Sequence, residues 1–213
     1  MFRDPDDARF WDRIAQKYAA DPIADVAGYE KSLERTVSRL RETDRVLELG
    51  CGTGTTALRL APHVGQFVGS DLSAAMIAIA QAKAAASPHR NIAFHQADAA
   101  DEATPDGGYD AVLGFNLLHL VRGRRALLDK IRAILKPGGL FISKTPCLSE
   151  MNPLIRLAVP VMRLVGKAPY VDFFSAAELE AEIKAAGFEI LEVGRHATKG
   201  KDTRPYLVAA VPR

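Results

Sequence analysis

From Arg45 onward, short apolar runs alternate with helical patterns, and that alternation leaves few folds open. The strand candidates are residues 46–49, 67–70, 92–95, 111–115 and 140–144, with helices at about 55–60, 74–85 and 124–135 between them. Strands that alternate with helices predict βαβ units and a mostly parallel sheet. The runs are apolar throughout, as strands covered on both faces should be. Two further strands are expected at 188–193 and 206–211, after a helix that opens with the capping box Ser175-Ala176-Ala177-Glu178 and closes at Gly187. Ser73 is placed to cap the helix beginning at Ala74, and Pro137-Gly138-Gly139 to stop the one ending near Leu135.

Two helical patterns precede this region. In the first, Phe10 to Tyr18, apolar residues recur at helical spacing; in the second, Tyr29, Leu33, Val37 and Leu40 share one face. No linker or repeat divides the 213 residues, so one domain is expected over 1–213, with 1–42 as a helical cap. Residues 147–174 form a connection longer than most. It is rich in apolar residues between Met151 and Val165, and reads as a helical insertion that could be a lid and acceptor pocket, core packing, or an oligomer interface. A net charge of +2 gives no argument for nucleic acid or an anionic membrane surface. Cys51 and Cys147 have neither disulfide-framework nor metal-ligand spacing, which suits a reducing compartment. The stretch Met1–Asp7 lacks a basic n-region, and no apolar run approaches the ~18–20 residues of a membrane span. The expectation is a cytoplasmic chain without stable membrane insertion, monomeric or homodimeric.

The most informative local feature is Val46-Leu47-Glu48-Leu49-Gly50-Cys51-Gly52-Thr53-Gly54-Thr55, a buried strand that runs through three alternating glycines into a helix. Glycine permits positive φ and lets a ligand touch the main chain. In open α/β sheets the ligand lies beyond the carboxyl ends of the strands, where strand order reverses. Glycines of this kind, with Asp71 about 20 residues on, suit a dinucleotide as well as an adenosyl ligand. Glu48 separates the two. A carboxylate before the glycines gains nothing from a pyrophosphate, but it can accept from an ammonium such as that of S-adenosylmethionine (SAM). Asp98, in Gln96-Ala97-Asp98-Ala99 after the third strand, is placed to accept from an adenine amino group.

Glu48-Leu49-Gly50-Cys51-Gly52-Thr53-Gly54, Asp71-Leu72-Ser73, Ala97-Asp98-Ala99 and Lys136-Pro137-Gly138-Gly139 resemble the successive motifs of class I SAM-dependent methyltransferases. The nearest likeness is to the ubiquinone/menaquinone C-methyltransferase-like group, which often begins with a helix such as Phe10 to Tyr18. The resemblance implies a Rossmann-like, doubly wound α/β fold whose seven-stranded, mostly parallel sheet has an antiparallel last strand. It implies SAM as cofactor and no metal. Carried over by residue, Gly50 and Gly52 line the methionine and ribose part, and Asp71 holds the ribose hydroxyls. Leu72 and Met76 pack near the adenine, Asp98 and Ala99 meet its edge, Asn116 and Leu117 lie near the sulfonium, and Tyr18 closes the site.

Simpler readings stand beside these. Asp71 and Asp98 could each be strand-end caps, but their joint placement with the glycines favours a ligand. Trp11 and Tyr18 serve equally well as a helix core face. Arg122, Arg124 and Arg125 read as a solvated helix start. His119, Tyr18 and Tyr170 are candidate bases or acceptor-orienting groups, although a lone histidine is more often structural. Methyl transfer from a sulfonium is an in-line displacement, so the protein chiefly aligns the reactants, and a base is needed only if the acceptor loses a proton. The expected acceptor is a small lipophilic molecule. An NAD(P)-dependent oxidoreductase and a non-catalytic SAM-binding protein are the alternatives.

Overall fold

In a computed structural model that describes residues 5–99, 101 and 108–213, seven strands form one sheet. Of the stretch read for targeting, residues 1–4 lie outside the described part. The strands are β1 Arg45–Leu49, β2 Gln66–Asp71, β3 Ile92–Gln96, β4 Tyr109–Phe115, β5 Leu135–Lys144, β6 Glu189–Gly194 and β7 Tyr206–Ala210. Their order is β3-β2-β1-β4-β5-β7-β6. Strands β1 to β5 pair in parallel, and β7 runs antiparallel between β5 and β6. The helices are α1 Pro5–Ala20, α2 Val26–Val37, α3 Thr55–Leu60, α4 Ala74–Ala86, α5 Arg124–Ile134, α6 Leu154–Leu164 and α7 Ala176–Ala185. Among the described residues no helix is long and apolar enough to cross a membrane.

Successive strand residues point to opposite faces, and the core divides accordingly. Leu47, Val112, Phe141 and Leu207 pack with Leu127, Leu128 and Ile131 of α5 and Leu179 and Ile183 of α7. Their neighbours Val46, Ala111, Leu113, Ile142 and Val208 pack on the other face with Leu33 of α2, Ala57 and Leu60 of α3, and Ile77 and Ala80 of α4. The inner strands are therefore covered on both sides, as their apolar runs predict. Strands β3 and β6 differ, because they are the two edges and much of each is exposed. Helix α2 belongs to the core layer as well as to the N-terminal cap.

The helix ends behave largely as expected. Ser73 Oγ accepts from the Met76 amide at 3.1 Å, and Ser175 with Glu178 forms the capping box. The Pro137-Gly138-Gly139 turn does more than stop a helix. Helix α5 ends at Ile134, and β5 already pairs at Leu135 with Tyr109. The register then jumps so that Leu140 meets Ala111, which makes the turn a bulge within one long strand. Gly138 N and Gly139 O bond there to Val211.

Arg124 corrects an expectation. It is buried rather than solvated. Its guanidinium grips both Glu182 oxygens at 2.6 Å, reaches Asp172 at 2.8 Å and stacks over Phe174 at 3.9 Å. Arg125, one residue on, does face solvent beside Asp129. The reading of 151–165 as core is likewise overturned, since no residue of α6 is buried and Leu157 exposes 72% of its surface.

Candidate active site

Strand order reverses between β1 and β4, and the carboxyl ends of these strands open on a cavity of about 400 Å³. That volume lies in the ~300–1,000 Å³ range of small-molecule sites. The glycine turn forms its base. Gly54 begins α3 in the left-handed region, and a Cβ there would meet Phe94 Cζ at 2.8 Å and Ala80 Cβ at 2.9 Å. Gly52 also has positive φ, but a Cβ there would meet only Tyr18 Cε1, at 3.8 Å. Its main chain therefore lies bare toward the cavity. Lys83 of α4 holds the turn from behind, donating to Thr53 Oγ1 and Thr55 Oγ1 at 3.0 Å.

Asp71 closes the turn onto β2. One carboxylate oxygen accepts from the Gly52 amide and the other from the Ser73 amide, both at 2.9 Å. Burial raises its pKa, and these two amides oppose the rise. An ionised carboxylate offers about four lone-pair sites, so two directions stay open to a ligand. Asp12 of α1 accepts from Ser73 Oγ at 2.6 Å and from the Ala75 amide at 3.0 Å. This fixes α1 on the start of α4 and brings Trp11 and Tyr18 to the cavity wall.

Tyr18, Gly50, Gly52, Asp71, Leu72, Met76, Asp98, Ala99, Asn116, Leu117, His119 and Tyr170 all line this one cavity. Glu48 does not. It shares Val46's face of β1, under the turn, with 2% of its surface exposed and Oε2 without a hydrogen-bond partner. Burial, then the nearby Asp71 charge, pushes its pKa up to about 8. Asn116, just past β4, has φ +52, and its amide donates to the Lys144 carbonyl at 2.8 Å. Asparagine tolerates that conformation better than most residues.

The three candidate bases differ in chemistry. Burial, with Arg204 nearby, lowers His119 to a pKa of about 4, and its Nδ1 lies 3.2 Å from Thr145 Oγ1. An imidazole so reluctant to bind a proton is a weak base and serves better as a neutral orienting group. Burial and the charges of Asp71 and Glu48 raise the Tyr18 hydroxyl, so at neutral pH it is a donor. The Tyr170 ring meets the Arg122 guanidinium at 4.0 Å and that of Arg163 at 5.3 Å.

A second cavity, of about 750 Å³, adjoins the first and shares Tyr18, Phe115, Asn116 and Arg204 with it. Sequence reasoning passed over Arg204. It sits just before β7, and β7 must enter at the site end of the sheet because it runs antiparallel to β5. That antiparallel expectation was the signal that could have found it.

Residues 11–193 match the family described as "Methyltransferase domain". The chain belongs to the class I SAM-dependent methyltransferases. A demethylmenaquinone methyltransferase of Symbiobacterium thermophilum is 32% identical over 68% of this chain and 59% of its own length. A ubiquinone/menaquinone biosynthesis C-methyltransferase of Coxiella burnetii is 29% identical over 85% of this chain and 64% of its own. The methyltransferase thus spans about three-fifths of each of these relatives. The fold matches that of magnesium protoporphyrin IX methyltransferase from Synechocystis, solved with bound S-adenosylhomocysteine (SAH). That match has TM-score 0.70 and 20% identity, and covers 96% of this chain and 95% of the other. Family and motifs agree on SAM as cofactor, and nothing supports the oxidoreductase alternative.

Proposed function

We propose that this methyltransferase moves the SAM methyl group to a small, mostly apolar acceptor, and that the two joined cavities hold donor and acceptor. The observation that carries this reading is the shared wall of Tyr18, Phe115, Asn116 and Arg204 between a cleft lined by the family's motif residues and a larger chamber beside it. The chain's own groups suit the cofactor. Gly52 presents bare main chain, Asp71 keeps lone pairs free for a ribose diol, and the orphaned Glu48 oxygen, under the turn, suits an ammonium reached through water. Leu72 and Met76 would pack the adenine, with Asp98 and Ala99 at its edge. Gly50, Asn116 and Leu117 would flank the methionine part.

When bound, SAM supplies an activated leaving group. The residues then have to orient and exclude water, and orientation alone can lower a barrier by ~7–11 kcal/mol. Tyr18 and Trp11 would close the donor side. The segment that carries α6 contributes Met151 to the second cavity and Tyr170 to the first, which supports its reading as a lid. His119 would orient the acceptor as a neutral imidazole. The quinone-type substrates in the relatives' names favour a lipophilic acceptor. We place the enzyme in the cytoplasm, as a monomer or homodimer.

Calorimetric titration with SAH tests the donor site. Asp71→Ala should weaken binding by about two to four orders of magnitude, because two charge-assisted hydrogen bonds of ~1.5–3 kcal/mol each are at stake. Affinity unchanged in a folded variant would sink the assignment. Incubation of apolar phenols and quinols with methyl-labelled SAM tests the acceptor, and label is expected in that group rather than in polar amines.

A further inference from the structure

The second cavity mixes apolar wall residues, among them Leu33, Phe115 and Met151, with polar and charged ones, and one of the cations is unusual. Lys144 ends β5 on the same face as Ile142 and points toward α2. Its half-buried ammonium donates to Ser32 Oγ at 2.7 Å and reaches the Gly28 carbonyl at 3.3 Å. Ser32 is committed as well, donating to the Gly28 carbonyl at 2.7 Å with His196 Nδ1 at 3.0 Å. An ammonium carries three donors. Among the described residues, no carboxylate lies within ion-pair distance of Lys144.

Of that cavity's carboxylates, Asp25 and Asp202 act on Lys144 only at a distance and are held by other donors. Asp25 accepts from the Gly28 amide and from the amide and hydroxyl of Thr198. Asp202 accepts from the amides of His196, Ala197 and Arg204. Asp21, on the wall contributed after α1, makes no ion pair among the described residues. At the junction of the two cavities the Arg204 guanidinium has no carboxylate within ion-pair distance among the described residues. Lys199 and Lys201 stand on the same wall. A half-desolvated cation with no carboxylate in contact is costly, and a ligand that brings one into contact lowers that cost. Burial lowers the pKa of the Lys144 ammonium; the Asp202 charge, and more weakly that of Asp25, opposes this, and Arg204 adds to it.

We propose that the second cavity binds the acceptor as an apolar, aromatic body bearing a carboxylate, which pairs with Lys144 and with Arg204 at the junction of the two cavities. This rests on the methyl-transfer reading for the word acceptor, and on the cavity alone for the binding. The apolar part of the lining, Leu33, Phe115 and Met151, takes the ring system. The carboxylate sets which edge of that ring faces the shared wall of Tyr18 and Asn116, so a charge pair becomes the device that chooses the methylated position.

The test compares 1-hydroxy-2-naphthoate with its methyl ester by isothermal titration calorimetry, on protein with and without saturating SAH. The acid should bind at least tenfold more tightly than the ester. Lys144→Met should abolish that preference while SAH affinity stays within twofold, and Lys144→Arg should keep part of it. Arg204→Gln, at an exposed position, serves if Lys144→Met unfolds, and should reduce the preference at least threefold. Equal affinity of the wild-type protein for acid and ester overturns the proposal. So does a preference that survives in both folded variants. If SAH fails to bind, the methyl-transfer reading falls, while the acid-to-ester ratio in SAH-free protein still decides this site.

Discussion

The most exacting prediction concerns Glu48, a carboxyl held under the glycine turn with one oxygen unpartnered and a pKa near 8. Its folded pKa is raised, so between about pH 4.5 and 8 the folded chain holds a proton that the unfolded chain has already released. Unfolding then liberates a proton, and the ligand-free protein loses stability as pH rises across that window. Each tenfold difference in proton affinity between the folded and unfolded chain is worth about 1.4 kcal/mol, so the whole window corresponds to a loss on the order of 5 kcal/mol. Glu48→Gln keeps the shape and cannot ionise. Its amide adds donors that also lack partners, which shifts stability by an amount that does not depend on pH. Urea denaturation of the two proteins at pH 5, 6.5 and 8.5 should therefore give curves that diverge in favour of the variant as pH rises. Cofactor binding should reverse the balance, because an ammonium nearby favours the ionised carboxylate. SAH binding at pH 7 should release protons, seen as a buffer-dependent heat in calorimetry, and Glu48→Gln should remove that release. Parallel pH–stability curves for the two proteins would refute the reasoning.

Three further changes test the scaffold. Gly54→Ala should destabilise by about 2–5 kcal/mol in urea denaturation, since it adds left-handed strain to a Cβ 2.8 Å from Phe94. Arg124→Met should cost about 2 kcal/mol, less than the ~3–5 kcal/mol of a wholly buried pair, because Glu182 and Asp172 keep 35% and 38% of their side chains in water; thermal melts read this. Asp12→Ala should lower stability by about 1 kcal/mol through the lost helix cap and should weaken SAH binding, because α1 loses its anchor on Ser73.

The donor half of the site was legible because its signals are local. Each parallel strand delivers its carboxyl end to the same edge of the sheet, so a turn or carboxylate written just after a strand arrives at the site whatever the distant packing does. Gly52 after β1, Asp71 at the end of β2, Asp98 after β3 and Asn116 after β4 meet for that reason. What the sequence concealed depends on partners far along the chain. Arg124 reads as a solvated helix start until Glu182 and Asp172, 58 and 48 residues away, are seen to grip it. The Pro137-Gly138-Gly139 turn reads as a helix stop until Tyr109 pairs with Leu135 and shows that the strand has already begun. Edge position hid the exposure of β3 and β6, since an apolar run does not say whether a neighbour covers it. Lys144 looks like an ordinary strand end until α2 brings Ser32 over it.

The same topology sorts charge across the cleft. The carboxylates Asp71 and Asp98 that line the donor cleft come from β2 and β3, on one side of the point where strand order reverses, while Lys144 and Arg204 come from the end of β5 and the entry to antiparallel β7 on the other, where Asp202 is engaged by three backbone amides. A sulfonium donor with an ammonium finds its counter-charges on the first side, and an acidic acceptor finds its own on the second. Two oppositely charged reactants thus approach along different walls and meet at Tyr18 and Asn116. Reversing one wall should exchange preference without moving the donor. Lys144→Glu should therefore select against acidic acceptors and favour basic ones, while leaving the Asp71 wall and SAH affinity intact. An enzyme that kept its order of preference after that reversal would show that shape alone, with no help from charge, chooses what is methylated.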